Sequence, residues 1–437
     1  MLRLWKALVV AALFAGSSLS ERSTVSADAS PLRIRAAAEQ GPVPPKEDPW
    51  YTAPARWEVA EPGQILRLRS APGNLTTVVG NCSAAYNILY RTTDSRYNPT
   101  WAVTTLFVPE DGESSAFGKA LLSFQLPYDS ADLNASPSYA VYETQPIDIA
   151  LALGRGWFVS VPDYEGPLAS FTAGVMSGHA TIDSVRAVRA ASFGLLPDAR
   201  YAMWGYSGGA LASEWAAELA TQYAPELAFA GTAIGGLTPN ITTVLLTVEG
   251  SPAVGLVPAG IVGLASQWPA LRRYVDDNLK TEGRYNKTGF LATENYTVIE
   301  NAAEFAGQNM ADYFVNGLDI IRAPVAQRAL RSDGQMGYHG VPQMPLYVYK
   351  AVEDEVSPIN ETDALVARYC GIGVDVTYLR NTAGGHTAEY YNGRPGALEF
   401  LTAVLMGRFN GTGCAVKDVK VSRAPSGLLR RDLSRIW

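Results

Sequence analysis

The pentapeptide Gly205-Tyr206-Ser207-Gly208-Gly209 lies between an apolar run, RYAMW, and a strong helix-forming stretch, ALASEWAAELATQ. A G-x-S-x-G turn that passes sharply from strand to helix holds the serine hydroxyl clear of the backbone, and small neighbours permit the close packing the turn needs. Without a strand before it and a helix behind it, the pattern would be an ordinary glycine-rich turn. With both, it demands a sheet whose strand ends carry a site. The surrounding sequence supplies that sheet. From residue 119 onward apolar runs alternate with helical patterns in the order ALLSFQ, IDIALALGRG, WFVSVPD, TIDSVRAVRAASF, RYAMWGYSGG and ALASEWAAELATQYA. This order predicts βαβ units and an α/β fold, a mainly parallel sheet flanked by helices. YAMWG and LYVYKAV read as continuously apolar, which suits central strands buried on both faces.

The folded body is expected to start near residue 49, where short β-branched and aromatic runs such as YNILYRTT and WAVTTLFVP begin. Its core is assigned to 49–239 and 341–416. Between 240 and 340 the rhythm breaks into helix-like segments, ALRRYVDDNL and FAGQNMADYF among them, which predicts an inserted, mostly helical cap. Within it, SPAVGLVPAGIVGLASQWP reads either as core or as a mobile surface that touches lipid. The sheet resumes with MPLYVYKAV and GVDVTYLR, GALEFLTAVLMGRF supplies a closing helix, and 417–437 is expected to be a solvated basic tail.

Ahead of the body, Arg3 and Lys6 precede the apolar run Ala7 to Ala15 and small residues to Ser20, the layout of a secretory signal peptide over 1–20. That run is roughly half the ~20 residues needed to cross a bilayer, so no transmembrane anchor is expected. Residues 21–48, rich in Ala, Ser and Pro, read as a linker or pro-segment. Export agrees with N-x-S/T acceptor sites at Asn74, Asn81, Asn134, Asn240, Asn286, Asn295, Asn360 and Asn410. Cys82, Cys370 and Cys414 allow one disulfide in an oxidising compartment; Cys370 with Cys414 is the preferred pair, and three buried thiols are the alternative. A net charge of −7 leaves no basic footprint for nucleic acid or an anionic membrane.

A serine hydroxyl is a weak nucleophile until a base takes its proton, so Ser207 needs a histidine within reach. On α/β-hydrolase sheets the order along the chain is serine, acid, histidine. His179 precedes the serine. His339 precedes the best acid candidates. His386, in the loop NTAGGHTAEYY, meets the order. The acid is expected after the strand LYVYKAV, where Glu353, Asp354 and Glu355 stand together; Asp354 is preferred, because a short carboxylate at a strand end can orient an imidazole. One oxyanion donor is the N–H of Gly208, the residue after the nucleophile. The second must come from a loop behind an early strand, and the residues alone narrow it only to the stretch from Pro127 to Ser130.

These segments resemble the fungal secretory lipase family, the Candida antarctica lipase A-like branch of the α/β-hydrolase superfamily. The resemblance runs from about 49 to 415. It rests on PYDSADLNASPSY, PDYEGPLASFTAGVMSGHATIDSVRA, GYSGGALASEWAAELATQYAPEL, IGGLTP, VEDEVSP and GGHTAEYY. It implies that Ser207, Asp354 and His386 act together, that Asp129 supplies the second oxyanion N–H, that the insert is a lid shaping an acyl tunnel, and that Cys370 and Cys414 are bridged. Where that group has a cysteine paired to its cap, this chain has Ala135 and no cap cysteine. Cys82 is then expected as a buried thiol or an intermolecular contact.

The function expected is hydrolysis of carboxylic esters of long-chain acyl groups, such as triacylglycerols, by a secreted enzyme. Its partner is a lipid or other ester, presented free or at an oil–water interface, and acyl transfer through serine calls for no metal or organic cofactor. A short-chain esterase or an acyltransferase would share the same residues. A serine carboxypeptidase would need a site for a terminal carboxylate, and no charged cluster near the serine offers one. A binding protein would have no need of the serine, acid and histidine together.

Overall fold

Residues 41–110, 117–144 and 147–423 are described in the computed structural model. The expected signal peptide, most of the linker and the end of the tail lie outside them. Ten strands form one sheet in the order β1-β2-β3-β5-β4-β6-β7-β8-β9-β10. They are β1 Ile65–Ser70, β2 Cys82–Thr93, β3 Pro99–Pro109, β4 Ala120–Gln125, β5 Phe158–Pro162, β6 Arg200–Tyr206, β7 Thr232–Gly235, β8 Leu346–Ala351, β9 Val376–Asn381 and β10 Cys414–Val419. The first three and the β3–β5 pair run antiparallel, and from β5 to β10 every neighbouring pair is parallel. β4, β5, β7 and β8 are buried throughout, which is why their sequences lack the polar alternation of a one-sided sheet.

Helices cover both faces. On one, Gly174–Ala191 packs against Gly208–Tyr223. A Cβ on Gly174 would lie 2.0 Å from the Trp215 ring, so glycine is what lets these helices approach. On the other face, His386–Leu405 crosses the sheet, and its Gly393 and Gly396 lie flat on Tyr349 and Tyr347. This helix begins ten residues before the stretch read as helical in the sequence and continues through Pro395. The aromatic floor it rests on, with Trp204 Nε1 donating to Tyr349 Oη at 3.0 Å, overrides the break that GRPG suggests.

The insert between β7 and β8 contributes no strand to the sheet. It is built from the helices Ile241–Val248, Leu256–Gln267, Pro269–Asn278, Lys287–Leu291, Val298–Phe305 and Pro324–Asp333, with short 3-10 turns between them. Of the two readings of its apolar stretch, core is the one the structure supports. All of Leu256–Gln267 except Ser266 is buried. A Cβ at Gly263 would meet the Phe171 backbone at 2.5 Å, so the helix lies directly on the loop after β5.

Both ends of the fold reach past the boundaries read from sequence. Pro45 is buried. Lys46 pairs with Asp132 at 2.8 Å and Asp48 with Arg69 at 2.7 Å, so the last residues of the supposed linker belong to the body. The supposed tail from Lys417 continues β10 to Val419, exposed yet paired along β9. The first residue of β10, Cys414, is held by a disulfide to Cys370, while Cys82 is a buried free thiol. The bridge closes a span of 44 residues. Replacing Cys414 by serine is expected to lower unfolding free energy by about 4 kcal/mol from loop entropy, read from denaturant melts; an unchanged midpoint would contradict it.

Candidate active site

Ser207 stands where β6 ends and the helix Gly208–Tyr223 begins, with φ 53° and ψ −121°, a conformation L-residues rarely adopt. Its neighbours are glycines for identifiable steric reasons. A Cβ on Gly205 would lie 2.1 Å from the Gly209 carbonyl oxygen, one on Gly209 1.9 Å from the Gln125 carbonyl oxygen, and one on Gly208 1.8 Å from Asp129 Oδ1. The Ser207 N–H donates to the Gly235 carbonyl of β7 at 2.9 Å, which fixes the turn to the sheet.

Ser207, Asp354 and His386, remote in sequence, are brought together. His386 Nε2 lies 2.9 Å from Ser207 Oγ, and Nδ1 lies 2.7 Å from Asp354 Oδ2. His386 is the first residue of its helix rather than a residue of a free loop. Glu355 accepts its backbone N–H at 2.8 Å, and Tyr206 donates its hydroxyl to its carbonyl at 2.6 Å. The backbone of His386 is thus held on both sides by side chains, and its imidazole by Asp354.

The three neighbouring acids after β8 separate by environment. Glu353 and Glu355 are exposed and Asp354 is buried. Asp354 Oδ1 accepts the N–H groups of Val356 at 3.0 Å and Ser357 at 2.8 Å. Oδ2 faces His386 and also Lys350 Nζ, at 2.8 Å. Burial alone would raise this carboxyl, but the charges and hydrogen bonds of His386 and Lys350 hold it well below the usual carboxylate range. Lys350 is buried in β8, the one charge in a strand otherwise read as apolar.

Asp129 follows β4 with φ 44°, and its buried Oδ1 has no hydrogen-bond partner. Burial pushes this carboxyl up to about 6, with His386 opposing the shift. The protonated form is therefore favoured below that pH, and above it the ionised group costs the fold stability. Gly208 opens its helix, where the first N–H groups have no intrahelical acceptor. Beside Ser207 lies an apolar pocket. Phe171, Thr172, Leu211 and Val356 line it from the core, and Ile241, Val244, Leu245 and Leu256 from the insert.

The other two histidines are elsewhere. His179 stacks on Tyr223 and approaches the Thr93 carbonyl, and His339 tilts over Trp215 beside Glu218. Lys350 has no role in the sequence reading, although a lone lysine in an apolar strand is a signal for it. Glu355, in the acid cluster, and Tyr206, in the G-x-S-x-G turn, are named there without their contacts to the His386 backbone.

Residues 135–414 match the family model described as secretory lipase. The chain belongs to the secretory lipase family. Over 411 residues it is 51% identical to the trichothecene C-3 esterase of Fusarium sporotrichioides, covering 90% of this chain and 92% of that one. Lipase A of Arthroderma benhamiae is 34% identical over 416 residues, 90% of this chain and 86% of that one. The X-ray structure of Candida antarctica lipase A in its closed state aligns with a TM-score of 0.79 at 24% identity, over 91% of this chain and 95% of that one, and gives the fold as α/β-hydrolase. Membership makes this chain a hydrolase of the lipase and esterase kind. Among the described residues no helix is long and apolar enough to cross a membrane. The sequons of this secretory lipase family member differ in exposure: Asn74, Asn81, Asn295, Asn360 and Asn410 are exposed, whereas Asn134, Asn240 and Asn286 are half-buried. Asn240 and Asn286 also cap helices.

Proposed function

We propose that the chain is a secreted carboxylic ester hydrolase that works through an acyl-enzyme on Ser207, and that its substrate is a trichothecene ester. The observation that carries the mechanism is the run of contacts Ser207 Oγ to His386 Nε2 to His386 Nδ1 to Asp354 Oδ2, at 2.9 and 2.7 Å, beside an apolar pocket. Ser207 Oγ attacks the ester carbonyl carbon while His386 Nε2 takes the hydroxyl proton. Asp354 stabilises the imidazolium without taking the proton itself. The oxyanion is received by the N–H groups of Gly208 and Asp129. His386 then gives its proton to the departing alkoxide, and the alcohol leaves. Water, activated by the same base, attacks the acyl-serine and releases the acid. The insert over 240–340 acts as a lid, since four of its apolar side chains form one wall of the pocket.

The substrate is favoured by likeness: 51% identity over nearly the whole of both chains with a trichothecene C-3 esterase, against 34% with a lipase. Triacylglycerol hydrolysis is the second reading, supported by the apolar lining of the pocket and by the relatives named lipases.

The two readings separate in one comparison of the purified protein and its Ser207→Ala variant on a C-3-acylated trichothecene, on p-nitrophenyl esters from C2 to C16, and on a triacylglycerol emulsion. A kcat/KM on the trichothecene ester at least about a hundredfold above that on the emulsion, absent in the variant, is expected. A rate that peaks at long acyl chains and on the emulsion would replace the trichothecene reading with the lipase one. Turnover that persists in the variant would end both.

A further inference from the structure

Asp354 has four hydrogen-bond donors on two oxygens, and one of them is a buried ammonium. Lys350 Nζ lies 2.8 Å from Asp354 Oδ2, the same oxygen that faces His386 Nδ1 at 2.7 Å. Both side chains of this ion pair are fully buried. The ammonium also donates to the Leu237 carbonyl at 2.9 Å, and Ser357 Oγ donates to that same carbonyl at 3.1 Å. Lys350 therefore ties the end of β8, the acid loop and the loop after β7 into one polar knot inside an apolar core. Burying a lysine here is expensive unless it is paired. A hydrophobic residue would suit a central strand better, and the N–H groups of Val356 and Ser357 hold only the other carboxylate oxygen, Oδ1.

We propose that Lys350 is a positioning residue for the ester hydrolysis, which orients Asp354 Oδ2 and shares its negative charge with His386. This rests on the assignment of Asp354 and His386 as acid and base. The electrostatic consequence has a definite sign. An imidazolium next to an aspartate that already faces an ammonium gains less than one next to an unshared aspartate. Lys350 thus favours the neutral, proton-accepting ring and keeps the base competent to lower pH. The other titratable groups around the knot are Glu355 in the acid loop, Asp363 in the helix Ile359–Gly371, Glu389 in the helix His386–Leu405, Tyr206 in β6 and Asp129 after β4. Asp363 is already paired with Arg380 at 3.1 Å. None of them shares an oxygen with the imidazole as Lys350 does.

The test compares Lys350→Met, which removes charge and donor, with Lys350→Gln, which removes the charge and keeps a donor. The readouts are kcat and kcat/KM against pH from 4 to 9 on a p-nitrophenyl ester, with thermal melting followed separately. In both variants the acid limb of kcat/KM is expected to move to higher pH by roughly one unit. Plateau kcat is expected to stay within about tenfold in Lys350→Gln and to fall further in Lys350→Met, with KM little changed. A lysine that serves only stability would lower the melting point and leave the acid limb in place. An unmoved limb in either folded variant overturns the proposal, and so does failure of both variants to fold, which would make the lysine structural. Turnover that persists in Ser207→Ala would instead count against the acid–base assignment itself.

Discussion

Replacing Ser207 by alanine is expected to lower kcat by roughly five to six orders of magnitude and leave the fold intact. The methyl group fits wherever the serine Cβ does, so the strained turn persists while the proposed nucleophile is gone. Asp354→Asn is expected to cost about 10⁴-fold, because an amide at Oδ2 can present a donor to Nδ1 and select the tautomer that cannot take the serine proton. Residues that act as one unit are not additive. The double variant Ser207→Ala/Asp354→Asn should therefore be no slower than Ser207→Ala alone, measured by single-turnover kinetics on an activated ester. A further large drop in the double variant would mean that Asp354 acts outside the serine pathway.

Gly208→Ala is the second large effect, expected to lower kcat by about 10²- to 10³-fold with a smaller change in KM. The expected effect is steric. The added Cβ would sit 1.8 Å from Asp129 Oδ1, and Asp129 is buried with φ 44°, so it has little room to withdraw by rotating its side chain. The backbone of Asp129 moves instead, and with it the N–H proposed to receive the oxyanion. Adding Asp129→Gly removes the clashing carboxylate and supplies the residue most at ease at positive φ. The double variant should regain part of the lost rate, read as kcat on p-nitrophenyl esters. If Gly208→Ala proves as active as the parent, the pairing of these two donors is wrong.

The sequence was most legible where chemistry imposes a local pattern. Gly205 to Gly209 carries its own steric explanation, because each glycine faces a specific atom, and the strand and helix around Ser207 are long and strongly patterned. His386 followed from chain order among three histidines. Asp354 was harder, since three adjacent acids differ only in which way each faces, and burial separates them. β7 has four residues and β10 is exposed and charged, so neither gives the apolar run by which strands are read. β10 is thus a strand beyond LYVYKAV and GVDVTYLR, the last two that the sequence shows. The helix through Pro395 and the placement of Lys350 depend on partners far away in sequence: Tyr347 and Tyr349 beneath the one, Asp354 and the Leu237 carbonyl around the other. Local propensity carries no record of them.

Acylation during turnover is expected at Ser207. Its most direct test is to inactivate the purified protein with a p-nitrophenyl alkylphosphonate, which leaves a stable tetrahedral adduct on a serine activated by a neighbouring base, and to map the added mass by peptide sequencing. The expected result is one phosphonyl group per chain on Ser207, with activity falling in proportion and no labelling of Ser207→Ala or, at the same exposure, of His386→Ala. Complete inactivation with the label on another residue would contradict the account.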